Sequence, residues 1–150
     1  MKFVDFTTQY WNIRSYKNFG AVSIPWVLTL WHYDGNIFAN MFQKHNGLWY
    51  DWIYVFGGSL KAKQYSIEIL LHRPEGSSPL LYKDTVRSID EKAQVIRMQK
   101  DCLVMDDSVV EYYMTNIDLP KERQIEGYDF RLPMHYRVFR SNDTNTLALT

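Results

Sequence analysis

Trp26-Val27-Leu28-Thr29-Leu30-Trp31-His32-Tyr33-Asp34-Gly35-Asn36 holds a strand and the turn that reverses it. Up to Tyr33 the stretch is aromatic, β-branched or aliphatic, the composition of a pleated and largely buried segment. With a period of two, Trp26, Leu28 and Leu30 fall on one face and Val27, Thr29, Trp31 and Tyr33 on the other. Asp34-Gly35 follows at once, and both residue types tolerate the positive φ that a tight hairpin turn demands. Ile37 to Gln43 is then the returning strand.

Working outward, Trp49 to Phe56 is a further aromatic strand, closed by Gly57-Gly58. Tyr65 to Leu71 alternates cleanly, with Tyr65, Ile67, Ile69 and Leu71 on one face and Ser66 and Glu68 on the other. A half-buried antiparallel strand has this pattern. Arg73 to Pro79 is a loop rich in Pro, Gly and Ser, and Leu80 to Val86 is the next strand. Ser88-Ile89-Asp90-Glu91 has the form of a capping box, which predicts that helical turns start there. Cys102 to Met105 is a short buried strand, and Ser108 to Glu111 repeats the capping pattern ahead of Tyr112-Tyr113-Met114. Asn116 to Asp129 is polar and predicts a long surface loop. Met134 to Phe139 is the last strand, and residues 140–150 form a disordered tail. The expected fold is all-β: one domain over 1–150, an antiparallel β-sandwich of seven to eight strands with one or two short helical turns.

Composition agrees. The chain has 150 residues, 46% of them hydrophobic and 16% aromatic, ample apolar surface for a core and too much for a disordered chain. Lys and Arg together number 17 against 17 for Asp and Glu, so no long-range field attracts nucleic acid. The single cysteine, Cys102, can form neither an internal disulfide nor a thiolate zinc cluster. Met1 to Asp5 lacks the apolar core of a signal peptide. The longest uncharged run, Asn18 to Tyr33, contains Pro25 and is too short for a bilayer. A cytoplasmic or nuclear protein that engages neither membrane nor nucleic acid is expected.

Three segments resemble the substrate-binding domain of the seven-in-absentia ubiquitin ligases. They are Leu60-Lys61-Ala62-Lys63-Gln64-Tyr65-Ser66-Ile67-Glu68-Ile69, Leu81-Tyr82-Lys83-Asp84-Thr85-Val86-Arg87-Ser88-Ile89-Asp90-Glu91, and Asp101-Cys102-Leu103-Val104-Met105-Asp106-Asp107-Ser108. The second matches a strand running into Arg-Ser-Ile-x-Glu, and the third is close to Asp-Cys-Leu-Val-Phe-Asp-x-Ser. Order and spacing also agree, and Asn18-Phe19-Gly20 matches more loosely. The resemblance implies a TRAF-like, eight-stranded sandwich that binds short extended peptides of partner proteins, as the degron-reading part of a ligase, and that can form a homodimer. The RING and zinc fingers of that family have no matching cysteines here, so no ligase chemistry of the chain's own is expected.

TRAF-like domains take an extended peptide along a sheet edge. The resemblance puts that site in the first strands, before Phe19-Gly20. Trp11 and Ile13, two apart and so on one face, would line the groove, with Phe6 and Thr8 on a neighbouring strand. The competing assignment makes Trp11 and Ile13 ordinary core residues.

Other candidates point to structure. Arg87 to Glu91 satisfies backbone groups, with Arg87 paired to a nearby carboxylate. Asp101, Asp106, Asp107 and Glu111 lack the spacing of a calcium loop and suit helix starts. Cys102 fits a small buried hydrophobe. His32, His45, His72 and His135 show no zinc-ligand spacing, and no Gly-x-Ser-x-Gly, Walker or Rossmann motif occurs. No cofactor or metal is expected. Asn142-Asp143-Thr144 has the glycosylation pattern.

Trp31, Tyr33, Trp49, Tyr50, Trp52 and Tyr54 fall on both strand faces, which implies either an interface or ligand surface, or a Tyr-rich core. Stacking of such rings on sugars makes a carbohydrate-binding sandwich the alternative function. A glycoside hydrolase would need paired carboxylates, for which Asp51 and Glu68 are the best candidates.

Overall fold

The computed structural model describes residues 7–13, 24–73, 78–116 and 130–142, with side chains over 30–73, 78–114 and 132–142. Phe6, the loop 117–129 and the tail over 143–150 lie outside the described residues. The strands are β1 (Thr7–Ile13), β2 (Ile24–Tyr33), β3 (Asn36–His45), β4 (Leu48–Val55), β5 (Tyr65–Leu71), β6 (Leu80–Thr85), β7 (Arg87–Ser88), β8 (Leu103–Met105), β9 (Thr115–Asn116) and β10 (Phe130–Arg140). The helices are α1 (Ser59–Ala62), α2 (Ala93–Gln99) and α3 (Asp107–Tyr113). Seven strands are long, and β7, β8 and β9 are pairings of two or three residues, so the expected all-β sandwich is the observed one. A third helix, α1, was not expected.

The first sheet has the order β1-β10-β5-β6, with β9 also on β10; the second has β2-β3-β4-β7, with β8 also on β4. Every pairing is antiparallel except the two-residue contact of β4 with β7. The Asp34-Gly35 turn forms as expected, with φ of 53 and 75°. Asn46-Gly47 repeats it between β3 and β4 at 50 and 81°. Both are sites where an Asx-Gly pair accepts a left-handed backbone that other residues resist.

A bulge between Val27 and Thr29 corrects the face assignment of β2. The extra residue shifts the alternation. Trp26 stands opposite Phe42 while Leu30 stands opposite Ala39, so the two occupy opposite faces. Leu30 is 60% exposed.

Between the sheets, Phe38, Phe42, Trp49, Ile53 and Val55 pack against Ile67, Ile69, Leu71, Leu132, Met134 and Tyr136. A second, smaller core lies on the outer face of the second sheet. There α2 sets Ile96 against Ala39, Tyr50, Trp52, Tyr54 and Cys102. Burying one isoleucine this fully contributes about 1.5–3 kcal/mol, enough to hold a two-turn helix that would not form alone. β4 is therefore covered on both faces. Trp49, Tyr50, Trp52 and Tyr54 are buried, Trp31 is half-buried against Tyr136, and only Tyr33 keeps substantial exposure. Five of these six rings thus belong to the two cores.

Both helix starts differ from expectation. The capping-box bonds around Ser88 do form: Glu91 Oε2 accepts from Ser88 N at 2.7 Å, and Ser88 Oγ from Asp90 N at 3.1 Å. They close a turn after β7, and α2 begins only at Ala93. For α3, Asp106 is the cap, accepting from Val109 N at 3.0 Å, and Ser108 donates to the same carboxylate. A carboxylate at the N-cap also meets the positive end of the helix dipole.

Candidate functional site

β1 is the end strand of the first sheet. Among the described residues it pairs on one side only, with β10, from Thr7 opposite Tyr136 to Ile13 opposite Phe130. Seven consecutive residues without Gly or Pro hold it extended. Trp11 stands opposite Leu132 and Thr8 opposite His135. Directly opposed residues share a face, so Trp11 and Ile13 occupy one row of β1 and Thr8 the other. Thr8 belongs to β1 itself, which corrects its placement on a neighbouring strand: Thr7 to Ile13 contains no turn residue to divide it. Phe6 lies outside the described residues.

β10, which carries β1, is joined to the second sheet by a buried polar contact. Asp51 on β4 is fully buried. Its Oδ1 accepts from Asn40 Nδ2 at 2.6 Å, and its Oδ2 lies 2.5 Å from Tyr136 Oη on β10. Asn40 Nδ2 also donates to the Trp52 carbonyl at 3.1 Å. Burial pushes the Asp51 carboxyl up to about 8, against the opposing pull of the bonds from Tyr136, Asn40 and the Trp52 backbone. Neither Asn40 nor Tyr136 stands out in the sequence as a partner of Asp51. The available signal was a lone amide and a lone carboxylate at inward positions of otherwise apolar strands.

Glu68 is also fully buried, but on the outer face of the first sheet. Arg137 Nη1 donates to its Oε2 at 3.4 Å, and Lys83 Nζ stands 3.6 Å from Oε1, close enough for charge pairing but beyond hydrogen-bond length. Asp51 and Glu68 thus occupy different layers and are not brought together as a hydrolase pair would need. Arg87 pairs with Asp84 at 3.0 Å, as expected of a structural arginine.

Burial pushes the Cys102 thiol up to about 12, helped by the Asp51 and Asp101 charges, so it stays protonated. His135 is pulled below the ordinary histidine value by burial and by His72, the one approach among four scattered histidines. Among the described residues no three His, Cys, Asp or Glu side chains group as metal ligands. None of their helices is long and apolar enough to cross a membrane.

The family model described as "Sina, TRAF-like domain" matches residues 35–125, which holds all the segments from the β2–β3 turn through α3. No curated protein matches the chain.

Proposed function

Because the chain belongs to the Sina family of TRAF-like domains, we propose that it reads extended peptide segments of partner proteins along β1, as the substrate-recognition part of a ubiquitin ligase. Domains of this family are protein-interaction modules, so a protein partner is the family-level expectation. The observation that carries the finer proposal is the one-sided pairing of β1. An end strand presents a row of backbone donors and acceptors, and an extended peptide can add to it as a further strand. Each main-chain bond contributes about 0.5–1.5 kcal/mol net. Specificity then comes from side chains at alternate positions, and Trp11 and Ile13 are the first candidates, on the row that pairs with Leu132 of the core.

On this proposal the chain does no chemistry of its own. With one cysteine it cannot build the zinc sites of a RING, and transfer of ubiquitin falls to another domain or a bound subunit. Burial takes Trp49, Tyr50, Trp52 and Tyr54 of β4 out of reach of a sugar ring, which favours the peptide reading over the carbohydrate one.

The test is capture of short extended peptides from an array, with Trp11→Ala and Ile13→Ala measured beside the unaltered chain. We expect retained peptides, and loss of binding in the variants at unchanged thermal midpoint. Loss of folding in both variants would return Trp11 and Ile13 to the core. An array that retains nothing would overturn the peptide-reading proposal itself.

A further inference from the structure

Among the described residues, nothing cationic meets Asp51. The inward row of β3 is Phe38, Asn40, Phe42 and Lys44, and Lys44 is committed elsewhere: its Nζ stands 3.0 Å from Asp107 Oδ1 and lies over the Trp49 ring. On β4 itself the row is Trp49, Asp51, Ile53 and Val55. β10 offers Leu132, Met134, Tyr136 and Val138, and β5 offers Tyr65, Ile67, Ile69 and Leu71, with no charge in either row. β8 sets Leu103 opposite Asp51, with the neutral Cys102 thiol beside it. By sequence, β1 contains no ionisable residue but Tyr10, and β2 none but His32 and Tyr33 at its end. A buried carboxylate without a cation is among the most expensive groups a core can hold.

The contact geometry supplies a neutral alternative. Tyr136 Oη stands 2.5 Å from Asp51 Oδ2 and 3.6 Å from Met134 Sδ. If the tyrosine proton goes to the sulfur, the short bond to Asp51 needs a proton from the acid. Oδ2–H then donates to Tyr136 Oη, Tyr136 donates to Met134, and Oδ1 still accepts from Asn40. Every polar atom of the carboxyl is satisfied with no net charge in the core.

We propose that the two sheets are closed across their middle by a carboxylic acid, and that loss of the Asp51 proton to solvent loosens their contact. Tyr136 is where that contact bears on the rest of the fold, because its backbone pairs with Thr7 of β1 on one side and Ile69 of β5 on the other. Alkaline pH is therefore a signal that relaxes β10 and the end strand it carries. The inference concerns the sheet contact and holds whether or not β1 binds peptides.

The sign follows from linkage. A carboxyl whose folded value lies above its unfolded value binds more protons in the folded state between the two, so stability falls as pH rises through that window and levels above it. Other groups titrate too, so the reading is the difference between the unaltered chain and Asp51→Asn, a neutral isostere that can donate from Nδ2 to Tyr136. Urea unfolding is measured from pH 6.5 to 9. We expect the folding equilibrium of the unaltered chain to weaken by up to about tenfold per pH unit below 8, relative to Asp51→Asn. Parallel pH profiles for the two chains would overturn the proposal. Should Asp51→Asn fail to fold, carboxyl carbon NMR of the unaltered chain decides: titration of Asp51 between 7 and 9 supports the proposal, and titration near the ordinary value of 3.8 overturns it.

Discussion

The contact at Asp51 and the contact at Asp34 use the same parts, an aspartate and an asparagine on the second sheet and a tyrosine hydroxyl on the first. In the middle of the sandwich these are Asp51, Asn40 and Tyr136. At the hairpin end they are Asp34, Asn36 and Tyr65: Tyr65 Oη donates to Asp34 Oδ2 at 2.7 Å and accepts from Asn36 Nδ2 at 2.7 Å. Two things differ. Asp34 is open to water, and Arg140 Nη2 stands 2.5 Å from its Oδ2. Accordingly the bond from Tyr65, then the Arg140 charge, hold Asp34 below the usual carboxylate range, whereas burial drives Asp51 far above it. The same residue types thus yield opposite electrostatics: solvent and a cation favour the charge of Asp34, whereas burial outweighs the hydrogen bonds that favour the charge of Asp51.

The comparison breaks most readily at Tyr136. Tyr136→Phe leaves a polar atom of Asp51 with no partner in a dry site, and we expect a loss of about 1–3 kcal/mol in urea unfolding at neutral pH. Tyr65→Phe removes two bonds, but water replaces them, so about 0.5–1.5 kcal/mol is expected by the same measurement. Equal losses would mean that burial does not separate the two contacts. The double variant sharpens the point. Tyr136 and Arg140, the register partner of Tyr65, stand four residues apart on β10, roughly 13 Å of strand. At that separation the two losses should add; a shortfall would show that the contacts act as one unit.

Much of this architecture was legible from strand chemistry. β5 runs from Tyr65 to Leu71 as its alternation predicts, and the Asp34-Gly35 hairpin sits where its left-handed residues require. What pattern could not show was the covering of β4. A strand flanked by water and one flanked by α2 have the same period of two, and the helix that covers it is anchored by one deeply buried residue, Ile96. The capping signature at Ser88 misled for a related reason: its reciprocal bonds stabilise a turn as well as a helix. At the sheet edge, sequence suggested Trp11, Ile13 and Thr8, but only register could place them in one strand. The Asp51–Tyr136 bond spans 85 positions. Asp51 stands out in the sequence as a candidate acid, yet no local pattern links it to a tyrosine that far along the chain.

The smallest effect belongs to Arg140, and it tests the cause as well as the size. A carboxyl with a lowered folded value contributes stability that is present above its unfolded value of 3.8 and is lost as pH falls through the folded one. The Asp34 contact should therefore weaken at acid pH, while the Asp51 contact weakens toward alkaline pH. Because the Tyr65 bond is the largest single influence on Asp34, Tyr65→Phe should flatten the acid limb more than Arg140→Gln does. Arg140 is half-exposed, so the charge–charge part of its share is a screened surface attraction and should fade between low salt and 1 M NaCl. Tyr65→Phe should keep its effect in high salt, since a short hydrogen bond is not screened by ions at that range. If Arg140→Gln instead moved the acid limb further and did so at every salt concentration, the cation and not the tyrosine would be what distinguishes the hairpin end from the middle of the sandwich.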